Sequence, residues 1–348
     1  MDKKKQMPFN LNNFLLATAI ALDSKINNEQ NISLNHHKRV CYITLNLGIK
    51  FNLEPNIMAD LCSYSLAYSL KKSDLEKLPF TMGKEILNND LVNEIINFSV
   101  FLDKKFLQDM KINKNEVIKY VEKNEEKYSN ELVKNFLDIS AQISFWEDLK
   151  YENEILMFIY ANLHDFTIVL DFEEILKITT IFHKLENPNS LFLEKAEKIT
   201  DEFEFEHKDK QIFLIASSLQ NIGKLFIPSS ILNKKEVISQ EEYEVIKTYP
   251  YHTKRVLNSI MGFADISSLA IKVQERVDGS GYFFGLDGKS LSFKDRLLGC
   301  LVVYNALREE RSYREAYTHD KAITIMKEEA KRGKVDISLV EHFDRIFA

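Results

Sequence analysis

Gln220 and Asn221 stand side by side where an apolar helix pattern ends, in the stretch SSLQNIGKLFIP (residues 217–228). Gly223, Lys224 and Pro228 follow, so the pair lies where a helix gives way to a turn. Two amides at a helix end are polar and compact, but they are poor metal donors. They lack the imidazole nitrogen and the carboxylate charge that hold a transition metal. Lys224 adds a cation to the turn, and Tyr282, Arg311 and Arg314 add a phenol and two guanidiniums downstream. Lys and Arg hold phosphates, and Arg does so bidentately with a plane that stacks on a base. Little else in the chain suggests metal chemistry. His164, His183, His207, His252, His319 and His342 show no ligand spacing, although His252 shares a helix face with Tyr249. Cys41, Cys62 and Cys300 are scattered without a CxxC, so neither a zinc cluster nor a disulfide frame is expected. That usage suits a reducing, cytoplasmic compartment.

These residues need a helical frame to bring them together. The chain has 348 residues, enough for two domains, with 45% hydrophobic and 28% charged residues. Ten Gly and six Pro over this length imply long regular elements, mostly helices. The net charge of −6 argues against a general nucleic-acid footprint, so no DNA or RNA partner is expected. The basic start MDKKKQMPFN precedes an apolar run, Phe14 to Leu22, that is short, interrupted by Thr18 and closed by Asp23. It is read as a helix, with neither a signal peptide nor a membrane span. Val92, Ile95, Ile96, Ser99 and Val100 follow helical spacing, as do Ala322, Met326 and Ala330, with Thr318 as N-cap and Gly333 just past the end. Strand patterns are scarce; YFFGLDG (282–288) is a turn-rich loop with room for a short hairpin. Residues 103–135 are thick with Lys, Asn and Glu and read as a solvated helical connector. HKLENPNS (183–190) is the best turn signal mid-chain, and the domain boundary is placed just before it, dividing residues 1–165 from 166–348. A faint repeat supports two modules: residues 36–53 leading to 60–70, and 192–205 leading to 213–224, are each an amphipathic helix followed by an apolar one.

Three stretches of the second half together resemble the HD-GYP family, metal-dependent phosphodiesterases that open cyclic dinucleotides. IGKLFIPSSILNKKEVISQEEYEVIKTYPYHTKRVLNSI (222–260) is similar to the segment after that family's His-Asp pair. QERVDGSGYFFGLDGKSLSFKDRLLG (274–299) is similar to its HHE…DGSGYP stretch, and YNALREERSYREAY (304–317) to its DAL…RPYR segment. NFLDISAQISFWEDL (135–149) resembles the segment joining two HD modules in tandem members. The resemblance implies an all-α fold of two tandem HD-type helical modules joined by a helical connector.

The resemblance also implies a site of two or three divalent metals that polarise the phosphodiester and activate water. Position by position, the ligands have been replaced. The His-Asp pair falls on Gln220 and Asn221, the His of the His-Pro step on Tyr249, the two His of HHE on Val273 and Gln274, and the Asp before the DAL segment on Val302. Glu275 remains, the Pro of GYP is Phe283, and the early His falls near Phe192 or Leu193. In the first half, HHKRV matches the family's first His at His36, but the expected His-Asp is Ala67-Tyr68, so His36 and His37 are read as solvent or interface residues. The expectation is a protein with no metal, no cofactor and no catalytic residue, a degenerate HD-GYP domain at 166–348 behind a degenerate HD-like module at 1–165. Such a protein regulates or scaffolds bacterial signalling by contact with another protein or another copy of itself. Lys224, Tyr282, Arg311 and Arg314 are the residues left to hold a cyclic dinucleotide such as cyclic di-GMP without cutting it, which is the second reading. A phosphohydrolase with altered ligands is the third. The old pocket is expected to be plugged by Tyr249, Val273 and Val302, with Arg311 and Arg314 paired to neighbouring Glu residues.

Overall fold

The computed structural model describes residues 6–30, 32–108, 112–163, 167–310 and 314–348. Helices take up 68% of it and strands 4%, an all-α fold as expected. Two compact units divide the chain. One is Phe9–Ile168; the other is Val169–Ala348 together with residues 6–8 at the start of the chain. The strands β1 (Gln6–Asn10) and β2 (Thr167–Asp171) form a two-stranded sheet.

In the first unit, α1 (Leu11–Gln30), α2 (His36–Lys50), α3 (Pro55–Ala67) and α4 (Asp90–Phe106) are followed by Lys114–Lys123, Asn130–Ser140, Ile143–Asp148 and Glu152–Asn162. α2 is the central rod, packed by α1, α3, α4 and Glu152–Asn162. Its side chains from His36 to Leu45 are all buried, as a helix surrounded on every side requires. α4 buries the spacing seen in the sequence, Val92, Ile95, Ile96 and Ser99, behind an Asn89 cap whose side chain accepts the Val92 N–H. Within the charged stretch 103–135, Lys114–Lys123 and the start of Asn130–Ser140 are helical, and the apolar residues Val117, Val121 and Leu132 are buried in this unit. Asp23 does not close the first helix. α1 runs on to Gln30, with Asp23 inside it and 1% exposed.

In the second unit, α5 (Phe172–Glu186) opens on a capping box between Asp171 and Glu174. It is followed by α6 (Phe192–Glu202) and α7 (His207–Leu219), and then by a tight 3₁₀ turn, Ile222–Phe226. α8 (Tyr249–Leu257) carries Pro250 in its first turn, α9 (Phe293–Arg308) has a Ser292–Asp295 capping box, and α10 (His319–Lys331) runs between the Thr318 cap and Gly333 at φ 78°. α7 is the core helix here, packed against α5, α6, Ala264–Ala270 and α9, with Phe213, Ile215, Ala216 and Leu219 fully buried. Its C-terminal end therefore delivers Gln220 and Asn221 to the middle of the unit. The loop 278–287 holds a single antiparallel bridge, Asp278 to Asp287, in place of a hairpin with regular strands.

Candidate functional site

A cavity of about 90 Å³ lies where α7 ends. Gln220, Asn221 and Lys224 line it from the end of α7 and the turn beyond; Val302 and Asn305 line it from α9, and Gln274 from the loop before that helix. His183 and Glu186 enter from the last turn of α5, three residues apart and so on one face of the helix.

Charges in this cavity are paired within the chain. Glu186 accepts a hydrogen bond from Lys224 Nζ at 3.3 Å on one oxygen and from Asn221 Nδ2 at 3.1 Å on the other. Burial alone would raise its carboxyl, but the Lys224 charge and these two hydrogen bonds hold it below the usual carboxylate range. The same ammonium lies 5.5 Å from the centre of the Tyr249 ring. Lys195 Nζ donates to Asn305 Oδ1 at 2.6 Å, and Asn187 and Ser190 donate to Glu309 Oε1 at 3.2 and 3.1 Å. Gln274 Nε2 donates to the Tyr249 hydroxyl at 2.8 Å. Burial pushes the His183 imidazole below its ordinary value despite Glu186 and Glu309, so it is neutral at pH 7. Among the described residues neither ring nitrogen of His183 nor Gln220 Oε1 meets a partner in good hydrogen-bond geometry, and all three atoms are buried. The cavity has room for the waters such groups demand.

The donor set does not fit a divalent metal. Among the described residues, no group of three or more His, Cys, Asp or Glu side chains is gathered where it could hold one. The carboxylate best placed to bind a cation, Glu186, is already met by Lys224, so a metal would have to displace an ammonium. The expected plug is only half made. Tyr249 and Val273 are each 1% exposed and fill the inner side, yet a polar space remains in front of them, bounded by Gln220, Asn221, Gln274 and Val302. The physical reason is that five amide side chains and two carboxylates line the space and keep it polar, where apolar replacements would have closed on one another.

Of the three described residues put forward for a ligand, Lys224 lines the cavity and Tyr282 and Arg314 do not. Arg314 donates to the carbonyls of Ala306, Leu307 and Glu315 and lies 4.4 Å from the Tyr317 ring centre, so it caps the end of α9 rather than pairing with a neighbouring Glu. Tyr282 is half-buried outside the lining, its backbone N–H donating to the Gln274 carbonyl, and burial holds its phenol protonated. Arg311 lies outside the described residues. Glu275, the retained acid, is 4% exposed and receives the Phe284 and Leu286 N–H groups at 2.8 Å each, so it anchors the 282–288 loop. In that loop Phe283 sits at φ 104°, which a Pro ring fixed near −65° cannot adopt. His183 and Glu186 were missed in the sequence because HKLENPNS reads as a turn. Its His-x-x-Glu spacing was the available signal, since it places both side chains on one helix face.

The first unit holds a second polar cluster, and here the expectation of exposed histidines fails. His36 and His37 are both 0% exposed. His36 Nδ1 lies 2.5 Å from Asp103 Oδ2 and its Nε2 2.5 Å from the Tyr68 hydroxyl, while Arg39 donates to both oxygens of Asp103. His37 Nδ1 lies 2.6 Å from Asp23 Oδ1 and its Nε2 2.8 Å from Ser69 Oγ. The pair facing the imidazoles is Tyr68 and Ser69, one residue beyond the expected Ala67-Tyr68. The cause is the paired carboxylates: with Asp23 and Asp103 inside the core, both imidazoles find hydrogen-bond partners there.

Known proteins share this architecture. The family model for the HD domain matches residues 172–339. The chain is 31% identical over 152 residues to the cyclic di-GMP phosphodiesterase response regulator RpfG of Xanthomonas campestris, covering 42% of this chain and 40% of that one. It is 32% identical over 113 residues to the 3′3′-cGAMP-specific phosphodiesterase 3 of Vibrio cholerae, covering 32% of this chain and 25% of that one. A 31% match over 105 residues to the cyclic di-GMP phosphodiesterase PdeB of Borreliella burgdorferi covers 30% of this chain and 28% of the relative. The chain thus spans less than half the length of these curated relatives. A crystal structure of a cyclic GMP-AMP-specific phosphodiesterase of V. cholerae superposes with a TM-score of 0.59 over 98% of both chains at 16% identity, which establishes a shared fold.

Proposed function

We propose that this protein, whose residues 172–339 match the HD-domain family model and whose relatives include proteins named cyclic di-GMP and 3′3′-cGAMP phosphodiesterases, does not carry out that reaction and serves as a regulatory or scaffold protein in bacterial signalling. The observation that carries this reading is the Lys224–Glu186 pair. An ammonium of the chain itself neutralises the Glu186 carboxylate at the cavity, and the positions matched to the family's ligands hold Gln220, Asn221, Tyr249, Val273, Gln274 and Val302. The first unit supports it as a second module whose former site is closed by Tyr68 and Ser69. Protein contact is the mode of action, in the cytoplasm and without nucleic acid. Met157 and Tyr160, 66% and 58% exposed on one face of Glu152–Asn162, suit a partner or a second copy. Among the described residues no helix is long and apolar enough to cross a membrane.

A receptor for a cyclic dinucleotide is the second reading, and Lys224 in a polar cavity favours it. Against it stand the size of that cavity, small beside the roughly 300–1,000 Å³ of ordinary ligand pockets, and the engagement of Arg314 with carbonyls. The test is calorimetric titration with cyclic di-GMP and with 3′3′-cGAMP, run beside a turnover assay and elemental analysis of protein prepared with manganese and iron. The expected outcome is no binding heat, no hydrolysis and no stoichiometric metal. Saturable binding without turnover establishes the receptor; turnover or one metal per chain restores the enzyme.

A further inference from the structure

The polar cluster of the first unit contains a line of three groups in a familiar chemical order. Ser69 Oγ lies 2.8 Å from His37 Nε2, and His37 Nδ1 lies 2.6 Å from Asp23 Oδ1. The same Asp23 oxygen accepts the His37 backbone N–H at 3.0 Å, which fixes the imidazole against it. With the Nδ1 proton donated to the carboxylate, the Nε2 lone pair faces the Ser69 hydroxyl. His37 and Asp23 are 0% and 1% exposed, whereas Ser69 is exposed. A base oriented from below, holding a hydroxyl at the surface, is the arrangement that activates a serine.

The geometry points to Ser69 as an activated nucleophile that takes an acyl group from a small ester. Two further observations favour it over its neighbour. The parallel line Tyr68–His36–Asp103 ends in a half-buried phenol, and its carboxylate is already neutralised by Arg39. Among the described residues Asp23 meets no such cation and its Oδ2 has no hydrogen-bond partner, so the carboxylate faces His37 alone. Around Ser69, Lys71, Lys72 and Lys104 are exposed, with the Lys104 ammonium 5.9 Å from the Tyr68 ring centre, so an ester bearing a negative charge is favoured. An exposed serine selects a small substrate presented from solvent.

The step balances without a co-reactant beyond water. Ser69 Oγ attacks the ester carbonyl carbon while its proton passes to His37 Nε2. The bond from that carbon to the leaving oxygen then breaks, and His37 returns the proton to that oxygen. Water attacks the acyl-serine with His37 again as base, releasing the carboxylic acid and restoring Ser69.

The experiment uses the full chain with p-nitrophenyl acetate, following nitrophenolate release and mapping the acetyl group by peptide mass, with a fluorophosphonate as a second probe. Acetylation is expected at Ser69, about a hundredfold or more faster than at any other hydroxyl. Ser69→Ala abolishes it, with thermal melting to show that the variant is still folded. Asp23→Asn, if folded by the same criterion, slows it by about a hundredfold to ten-thousandfold. Because Asp23 is buried, the fluorophosphonate label on the unaltered chain decides the matter should that variant unfold. No label at Ser69 from either probe, or acetyl spread over surface lysines with Ser69 no faster than other hydroxyls, overturns the inference. These outcomes are independent of cyclic dinucleotide binding.

Discussion

Lys224 and Glu186 carry opposite charges at the edge of a cavity, with side chains 19% and 17% exposed. A partly desolvated ion pair contributes little net stability, but removing one partner leaves the other charge uncompensated. Lys224→Met is therefore expected to lower stability by about 2 kcal/mol, and Glu186→Gln by less, since an exposed ammonium finds water more readily. The double variant should recover most of the loss, with a coupling of about 1–2 kcal/mol in urea unfolding. If the double variant is as unstable as the sum of the singles, the pair does not hold the cavity together. At this scale the sequence was partly legible. Gln220, Asn221, Gln274 and Val302 were named from motif positions, and all four line one cavity. His183 and Glu186 were not, because they lie some 35 residues upstream and only tertiary packing brings α5 to the end of α7. Arg314 carried a ligand motif in the sequence, but its position just past α9 gave it unsatisfied carbonyls to meet first.

Two turns fix how the helices of the second unit approach each other, and each depends on a glycine. A Cβ on Gly223 would stand 2.0 Å from the Tyr249 carbonyl oxygen and 2.6 Å from the Thr253 nitrogen, so the 3₁₀ turn lies directly on α8. A Cβ on Gly281 would stand 2.4 Å from the Glu275 Cα and 2.5 Å from the Arg276 nitrogen. Backbone cannot yield as a side chain does, so Gly223→Ala and Gly281→Ala should each cost about 3 kcal/mol. Gly83, at φ 60° with nothing near its Cβ position, is the control: Gly83→Ala should cost only about 1 kcal/mol from backbone strain. Thermal melting of the three variants distinguishes them, and equal losses would refute the close-approach account. These glycines explain why DGSGY and IGK remain recognisable without metal ligands, since they shape backbone. Helix ends such as Thr318 and Gly333 were legible because capping is local. Asp23 misled for the opposite reason. A polar residue in an apolar run reads as a terminator, and the partner that keeps it inside α1 lies fourteen residues on, at His37.

The unit built on Val169–Ala348 is not continuous in the chain, because residues 6–8 belong to it. Met7 Cε comes within 3.3 Å of the position a Cβ on Gly262 would take, and β1 pairs with β2. No local pattern announces a partner at such a distance, so the sequence reading placed the first residues with the first module. Deleting residues 1–8 is expected to speed hydrogen exchange at Val169–Asp171 and around Gly262 while α2 and α3 keep their protection. Unchanged exchange at β2 would show that the strand adds nothing. The same feature bears on synthesis. β1 leaves the ribosome before β2, and about 156 residues, 11–166, must follow before its partner begins to appear. At roughly 5–20 residues per second the strand waits on the order of ten to thirty seconds with its edge open. Refolding from denaturant, where both strands are present from the first instant, imposes no such delay on the nascent edge.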